Sequence, residues 1–431
     1  MSRQFLTPLN VYHSATPPSS PVLGDTYFNT VDDVLYTYNG TEWVNGRDQA
    51  LNVLYVSKDG NDSHDGKTIH NAFLTIKAAM SVATAGTTVF VKSGTYFEDN
   101  PVNIPARVAM VGDSPRTTII KPNNTTSDMF YVNNGSYIEK VGFYDHVQPA
   151  AAVAFNPDSS AGAITASPYI QNCSSITTTG TAVFIDGSKV TGNKSMVVGQ
   201  LTTFNQGGIG IHIVNSGYSQ LVSVYTICCD YGVLVESGGF CSIGTSDSSF
   251  GTYGLVARGT SDLLESGTVA SVDVFTQTVV VDDLASRPNV NDVFRLDDDP
   301  EFYTIDTVTP LVDGSCTIVS LEKLPDSAAN ATAVHFYKRS FILASSHTFE
   351  YVGAGTNVAT ALPQRGGVPI ETNNVVQEDG GKVFYTGTDQ KGNFRIGGDL
   401  FFNNATGTIT GDTFNRSLFA VMTPYILAIE G

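Results

Sequence analysis

Between about residues 200 and 260 the apolar and polar positions recur at one fixed step. The segments GGIGIHIVNSGYS, DYGVLVESGGF and TYGLVARGTS align Gly210, Gly232 and Gly254, each 22 residues from the next. Each glycine opens an alternating run: Ile211-His212-Ile213, Val233-Leu234-Val235 and Leu255-Val256-Ala257. Period-two alternation makes each run a short strand with one face turned inward. Several short strands in a repeat of ~20–30 residues predict a β-solenoid, whose coils bury their apolar faces only by stacking. The same style runs backward through RVAMVGDSPRTTIIKP, DMFYVNNGSYIEKVGFYD and PYIQNCSSITTTGTAVFID. Ile211, Val233 and Leu255 are expected to stack in line, as are Ile213, Val235 and Ala257. The glycines are expected at tight corners that need φ > 0.

The pattern divides the chain into five regions. Residues 1–50 hold a Pro/Ser-rich stretch, SATPPSSPVLGD, and then VLYTYNGTEWV, in which Asn39-Gly40 between aromatic alternations predicts a hairpin carrying Trp43. This small unit either caps its own chain or attaches to another protein. Residues 51–260 are the solenoid. Its first elements differ from the rest. Phe73, Ile76, Met80 and Ala83 fall on one face of a short helix, and TTVFVKSGTY then alternates with Val89 and Val91 on one side. Such a helix covers the open end of the coils. Residues 261–338 break the period with longer alternating strands, and predict a small antiparallel barrel or sandwich inserted between coils. Residues 339–362 resume the coil. Residues 363–431 read as hairpins with spare apolar faces at Phe384, Phe394, Ile396, Leu400 and Phe401, which suits burial between chains. The fold class is all-β: a right-handed parallel β-helix with a capping helix, an inserted antiparallel domain and a β-rich oligomerisation region at the C-terminus.

Composition narrows the function. The chain has 23 Lys and Arg against 41 Asp and Glu, a formal net charge of −18, so it lacks the basic surface a nucleic-acid partner requires. Its five cysteines, Cys173, Cys228, Cys229, Cys241 and Cys316, are odd in number and lack CxxC spacing. They read as small buried apolar side chains, neither disulfides nor metal ligands. The start, MSRQFLTPLN, has no apolar signal-peptide core, and no apolar run is long enough to span a bilayer. The expectation is synthesis in a cytoplasm without membrane insertion.

Residues 53–121 carry YVSKDGNDSHDGKT, FLTIKAAMSVA, TTVFVKSGTYFE and VAMVGDSPRTTII, which together resemble the opening of the pectate-lyase-like right-handed β-helix superfamily. SSHTFEYVGAGTN, ALPQRGG and GGKVFYTGTDQKGNFRIGGDLF resemble segments of tail-associated structural proteins of tailed phages, in particular those infecting cyanobacteria. GDTYFNTVDDVLYTYNGTEWV is similar to an N-terminal module of phage tail fibres. The resemblances cover about two-thirds of the chain, and residues 261–338 match none of these. They imply a homotrimeric tail fibre, tailspike or baseplate-attached virion protein that contacts other tail proteins and host surface polysaccharide.

The same families imply the chemistry to look for. Pectate-lyase-like enzymes use calcium-bound carboxylates with an Arg or Lys base, and tailspike hydrolases use paired carboxylates. A hydrolytic pair needs two carboxyls ~5–9.5 Å apart beside a sugar groove. The candidates are Glu98, Asp99, Asp145 with His146, Asp186, Asp230, Glu236 and Asp247. An amide, Asn215, interrupts the column of Asp186 and Glu236, and the acids read as solvated turn residues, with a depolymerase as the alternative. Asp59, Asp62 and Asp65 in DGNDSHDG lack the Gly and Glu of a calcium loop and read as turn residues. The run 297–300, DDDP, reads as a strand-joining turn, and His64, His70, His146, His212 and His347 show no metal spacing. Tyr144, Tyr218, Tyr225, Tyr231 and Tyr253 are either sugar platforms or packing groups. No catalytic, cofactor-binding or metal-ligating residue is assigned.

Overall fold

A computed structural model describes residues 11–45, 52–311, 314–350, 375–378, 381–385, 395–396, 400–403 and 408–410. Most of these form a parallel β-solenoid with three strand-bearing faces per coil. Long strands such as Ser195–Asn205 turn a corner, pairing first with Tyr218–Val222 and then with Tyr225–Ile227. Their first halves make a first face and their second halves a second. A separate eight-stranded sheet, which includes Ile209–Val214, Tyr231–Glu236 and Tyr253–Arg258, makes the third face.

Register follows from the apolar alternation. Inside the first face Val89, Met110, Ile138, Ile170, Val198, Leu221, Ile243 and Ala344 stand in one column, each in register with the next. All eight are shielded from solvent and belong to one continuous core. In the third face Ile211, Val233 and Leu255 pair in line, as do Ile213, Val235 and Ala257. Shifting any strand by one residue would send its inward column outward, so burial locks the register.

The glycines at the 22-residue step differ from expectation. Gly210, Gly232 and Gly254 are not among the residues with positive φ. They sit where the third face bends toward the second, opposite a buried column of hydroxyl residues in register: Ser175, Thr203, Thr226 and Ser248. A Cβ on Gly232 would lie 2.7 Å from the Gly254 carbonyl oxygen and from the hydroxyls of Thr226 and Ser248. Close approach, with no room for a methyl group, is what requires glycine. The left-handed corners fall instead at residues such as Asn215, Ser237 and Gly238. Phe143 and Phe349 close the two ends of the hydroxyl column.

The helix Ile76–Val82 lies over the first coils, with Ile76, Ala79 and Met80 in the core. Phe73 is buried but precedes the helix. Two side chains satisfy the helix start. The Thr75 hydroxyl accepts from Ala78 N at 3.2 Å, and the buried Glu98 carboxylate accepts from Ile76 N at 2.8 Å and Lys77 N at 3.0 Å. Orphan helix N–H groups are otherwise costly to bury. The N-terminal unit is a four-stranded sheet. Asn39 Oδ1 ties its hairpin turn by accepting from Thr41 and Glu42, and Trp43 meets Tyr27 edge-on at 4.8 Å.

Between the strands Phe240–Ser249 and Phe341–Glu350, which pair with each other, the chain makes a closed six-stranded antiparallel barrel. Its strands run from Glu265–Asp273 to Ala333–Tyr337 around a core of its own that includes Phe294, Phe336 and Ile318. The two connections meet: Ser261 N donates to Lys338 O at 2.7 Å and Ser340 N to Gly259 O at 3.0 Å. Of the expected C-terminal region only short pieces are described. Val375–Glu378 and Lys382–Tyr385 add one strand each to the third and first faces, and Arg395–Ile396, Leu400–Asn403 and Thr408–Thr410 form a small antiparallel sheet. The side chains of Phe384, Phe394, Ile396, Leu400 and Phe401 lie outside the described residues.

Candidate functional site

The carboxylates of Glu98, Asp99, Asp145, Asp186 and Asp247 are each engaged with neighbours. Glu98 caps the helix, and burial raises its pKa. Asp99 pairs with Lys77 at 2.7 Å and Asp145 with Lys121 at 2.8 Å. Asp186 accepts from the Ser188 hydroxyl at 2.7 Å and from Asn215 Nδ2 at 2.8 Å. Val214, not Asn215 as expected, stands in register between Asp186 and Glu236, and Asn215 ties Asp186 down from the corner beside it. Asp247 is buried and accepts from the Ser249 hydroxyl, while Asp230 contributes its carbonyl to Tyr253 N.

Glu236 is the exception, because it joins a cluster. His212 Nε2 lies 2.8 Å from its Oε2, and Arg258 donates Nε at 2.9 Å and an Nη at 2.6 Å to its Oε1. The three come from consecutive coils of the third face, and His212 packs on Phe184 at 5.1 Å between centroids. The contact with His212, against the desolvation of the site, and the Arg258 guanidinium together hold Glu236 below its ordinary pKa. A general acid needs the opposite shift. Among the described carboxylates, raised values belong to Glu98 and to Asp292 in the barrel, both through burial.

Two histidines are interior groups. His146 sets Nε2 3.0 Å from the Thr181 carbonyl, and burial lowers it to about 4. His347 lies 3.1 Å from Ser248 Oγ at the end of the hydroxyl column, lowered by burial to about 3. His212 points outward as its place between Ile211 and Ile213 requires. Asp62 accepts from Leu74 N, Thr75 N and the Thr75 hydroxyl at 2.8–2.9 Å, Asp65 from Lys67 N, and Asp59 has its own N–H on Ser57 Oγ. Asp297 accepts from Thr332 and Ala333, and Asp299 from Tyr303 Oη at 2.8 Å. These two acids, with Tyr303, Pro325 and Ala328, line a shallow groove of about 520 Å³ on the barrel. Among the described residues no three His, Cys, Asp or Glu side chains converge as metal ligands, all five cysteines are buried and free, and no helix is long and apolar enough to cross a membrane.

Aromatic residues shape the outer faces. On the first face Tyr218, Phe240 and Phe341 stand in register, with centroids 5.1 and 5.6 Å apart and planes within 9° and 8°. Near-parallel rings this close are stacked, so their faces cover one another and their edges point out. Tyr231 and Tyr253 stack in the same way on the third face, at 5.0 Å and 17°. Tyr225 is 43% exposed on the second face, and Tyr144 is half-buried there. Sequence reasoning missed Phe240 and Phe341. Phe240 was within reach, because Gly217-Tyr218 and Gly239-Phe240 repeat the 22-residue step. Phe341 was not, because the barrel separates it from its neighbour in the ladder.

The barrel presents a different feature. Phe275 at the tip between Glu265–Asp273 and Thr278–Asp282 is 93% exposed. Asp273 Oδ1 accepts from Phe275 N at 2.9 Å and Thr276 N at 3.3 Å, which fixes the turn that holds the ring out.

No protein-family model matches the chain, and neither does a curated protein. Solved structures similar to it include a rhamnogalacturonan lyase (10% identity, 49% of this chain and 76% of that one, TM-score 0.27). ORF18 of Geobacillus virus E2 is similar over 94% of this chain and 98% of that one (13% identity, TM-score 0.26). An iota-carrageenase complexed to iota-carrageenan fragments is similar over 78% and 90% (11% identity, TM-score 0.23). Likenesses at these scores carry no argument about what this chain does.

Proposed function

We propose that the chain is a structural and adhesive component of a tailed-phage particle: a homotrimeric fibre, tailspike or baseplate-attached protein. In this reading the solenoid is the shaft and the inserted barrel makes the outward contact. The sequence resemblances at both ends support the setting. The observation that carries the reading is the state of the outer acids. Asp99, Asp145 and Asp186 are tied to a lysine, a lysine, and an amide with a hydroxyl, and the one in a constellation, Glu236, is held ionised by His212 and Arg258. That arrangement fastens coils together and leaves Glu236 unsuited to proton donation. The depolymerase alternative keeps one supporting observation, since Glu236 shares an outer face with Asp186 two coils away, about 10 Å at the spacing of stacked strands.

The deciding experiment incubates the full chain with envelope polysaccharide and with intact cells of candidate hosts. The expected result is a particle of three 45.9 kDa chains that binds cells and leaves glycan length unchanged. Shortened glycan, with cleavage lost in Glu236→Gln, would replace the reading with the depolymerase. Phe275→Ser is expected to weaken cell binding while leaving the melting temperature as it was. Unchanged binding would remove the barrel tip from the contact.

A further inference from the structure

The tip of the barrel presents an apolar group on a fixed turn. Val274 packs on the barrel core, while Phe275 beside it stands out in solvent. The polar side chains of the tip are engaged within the barrel. Asp273 Oδ1 accepts from Phe275 N and Thr276 N, the Thr276 hydroxyl donates to Thr278 Oγ1 at 3.0 Å, and the Gln277 amide spans Val274 O and Leu324 N. Ser320 N donates to Gln277 O at 2.8 Å, and the next residue, Leu321, adds a second apolar group, 41% exposed. The segment that holds the tip also borders the acidic groove. Leu324 N meets Gln277, and the following residue, Pro325, lines the groove with Tyr303 and Ala328. Asp297, Asp298, Asp299 and Glu301 line it as well. Asp297 and Asp299 have partners within the barrel, whereas the exposed carboxylates of Asp298 and Glu301 make no hydrogen bond or ion pair among the described residues. The Arg295 guanidinium lies over Phe302 at 5.4 Å and donates from Nε to the Asp299 carbonyl, not to a carboxylate.

We propose that tip and groove form one docking surface for a basic protein: Phe275 enters an apolar pocket of the partner, and a Lys or Arg of the partner meets Asp298 and Glu301 in the groove. The proposal rests on the adhesive reading above and names the chemistry of what the barrel contacts. A protein suits the tip better than a glycan does. A sugar needs hydrogen-bonding side chains around an aromatic platform to fix its hydroxyls, and here those groups are spent on the turn itself. What is left is an aromatic side chain on a turn that is already ordered. Such a group loses little freedom on binding, and a buried aromatic anchor is the commonest centre of a protein interface. Charge sets the character of the partner. Residues 261–338 carry 14 Asp and Glu against 4 Lys and Arg, so a basic surface is drawn to the barrel, while an anionic lipid surface is repelled. A second copy of this chain, itself at −18, is repelled in the same way.

The test measures binding of the full chain to candidate host cells left untreated, digested with a protease or oxidised with periodate, and to phospholipid vesicles. Binding is expected to fall at least tenfold after protease, to survive periodate, and to be absent on vesicles. Phe275→Ser is expected to weaken binding at least tenfold whatever the salt. The isosteric double variant Asp298→Asn, Glu301→Gln is expected to weaken it about threefold or more in dilute salt and less in concentrated salt, where screening removes what the charges contribute. Asp230→Asn, Asp262→Asn removes the same two charges outside the groove and is expected to bind like the parent. Phe275, Asp298 and Glu301 are exposed, so the far-UV spectra of their variants should match the parent's. Binding that periodate removes and protease spares would make the partner a glycan, and binding to vesicles would make it a lipid. Either result overturns this proposal and leaves the chain an adhesin. Protease-sensitive binding that Phe275→Ser or the double variant leaves unchanged overturns the joint surface and likewise spares the adhesive reading. A chain that binds none of the cells overturns both.

Discussion

The solenoid and the inserted barrel protect β-sheet edges in opposite ways. The barrel closes six antiparallel strands on themselves and leaves no edge, so its core is complete within about 75 residues. The solenoid never closes. Each coil lends its edge to the next, and at the first coils a helix tied down by Thr75 and Glu98 lies over the end. Charge divides along the same line. Residues 261–338 contain 14 Asp and Glu against 4 Lys and Arg, which is 10 of the chain's net 18 negative charges. A self-contained barrel can carry that charge on its surface, whereas stacked coils place equivalent positions about 4.8 Å apart, where like charges repel. The solenoid answers with alternation across coils, as in Glu236 beside Arg258, or with runs of uncharged strand, as in SMVVG, YSQLV, FCSIG and FILAS of the first face.

The sharpest way to break the comparison is to strike what only the solenoid has, a column that must match coil after coil. Gly232→Val places a branched side chain against the Gly254 carbonyl and the hydroxyls of Thr226 and Ser248. The expected cost exceeds about 4 kcal/mol, in the range reserved for severe core clashes. Gly259→Ala, at a left-handed corner with φ of 73° and no atom near its Cβ, is expected to cost only about 1–2 kcal/mol of backbone strain. Urea denaturation followed by circular dichroism measures both. If Gly232→Val unfolds at the parent's midpoint, the two columns do not face each other.

Acid is the next lever, and it separates the two regions by sign. His146 and His347 are buried neutral in the solenoid, lowered to about 4 and about 3. Below the ordinary value near 6.5 the unfolded chain takes up protons that the fold refuses, so stability is flat above about 6.5 and falls as pH drops toward 4. By pH 4 the loss is about 3 kcal/mol for each histidine. Glu98, raised by burial, opposes this only at the acid end of the window. In the barrel the notable buried group is Asp292, also raised by burial, so the folded barrel gains as pH falls through that value. Its surface carboxyls Asp273 and Asp297 are lowered and act only below their ordinary range. Hydrogen exchange at pH 7 and pH 4.5 is expected to show residues 130–260 losing protection while 265–337 keep theirs. Equal loss in both would contradict the assignment to the histidines.

Legibility in the sequence tracks the range of each interaction. The columns Ile211–Val233–Leu255 and Ile213–Val235–Ala257 were legible because a fixed step plus inward alternation determines register without any other information. The capping helix and the inserted antiparallel domain were legible because the apolar period changes where they begin. The reason for the glycines was not, since it depends on threonine and serine side chains of the second face that meet Gly210 and Gly232 only after the coil bends. The Glu236 cluster was hidden for a similar cause: His212 and Arg258 lie 24 and 22 residues away and become neighbours only through stacking. Asp62 and Glu98 read as turn acids, yet each ties down the helix start across 12 to 22 residues of chain.

The mildest perturbation is to remove one partner of the comparison altogether. Ser261 N reaches Lys338 O, Lys338 N reaches Ser261 Oγ at 3.0 Å, and Thr260 bridges Arg339, so the ends left by deleting 262–337 already touch. A linker of a few Gly and Ser residues closes that gap at little entropic cost. The coil on either side keeps its own pairing, Phe240–Ser249 against Phe341–Glu350, and Gly238 N keeps its bond to Ser340 Oγ at 3.1 Å. Among the side-chain contacts between the regions that are lost is Arg339 to Thr304 Oγ1 at 2.7 Å. The shortened chain is therefore expected to melt within a few degrees of the parent, because a single exchanged hydrogen bond is worth about 1 kcal/mol. It should also lose cell binding while keeping its trimeric mass, if the barrel contacts the host. Collapse of the solenoid on excision would mean that the barrel is a structural keystone of the coil it interrupts, and that the two regions are one folding unit.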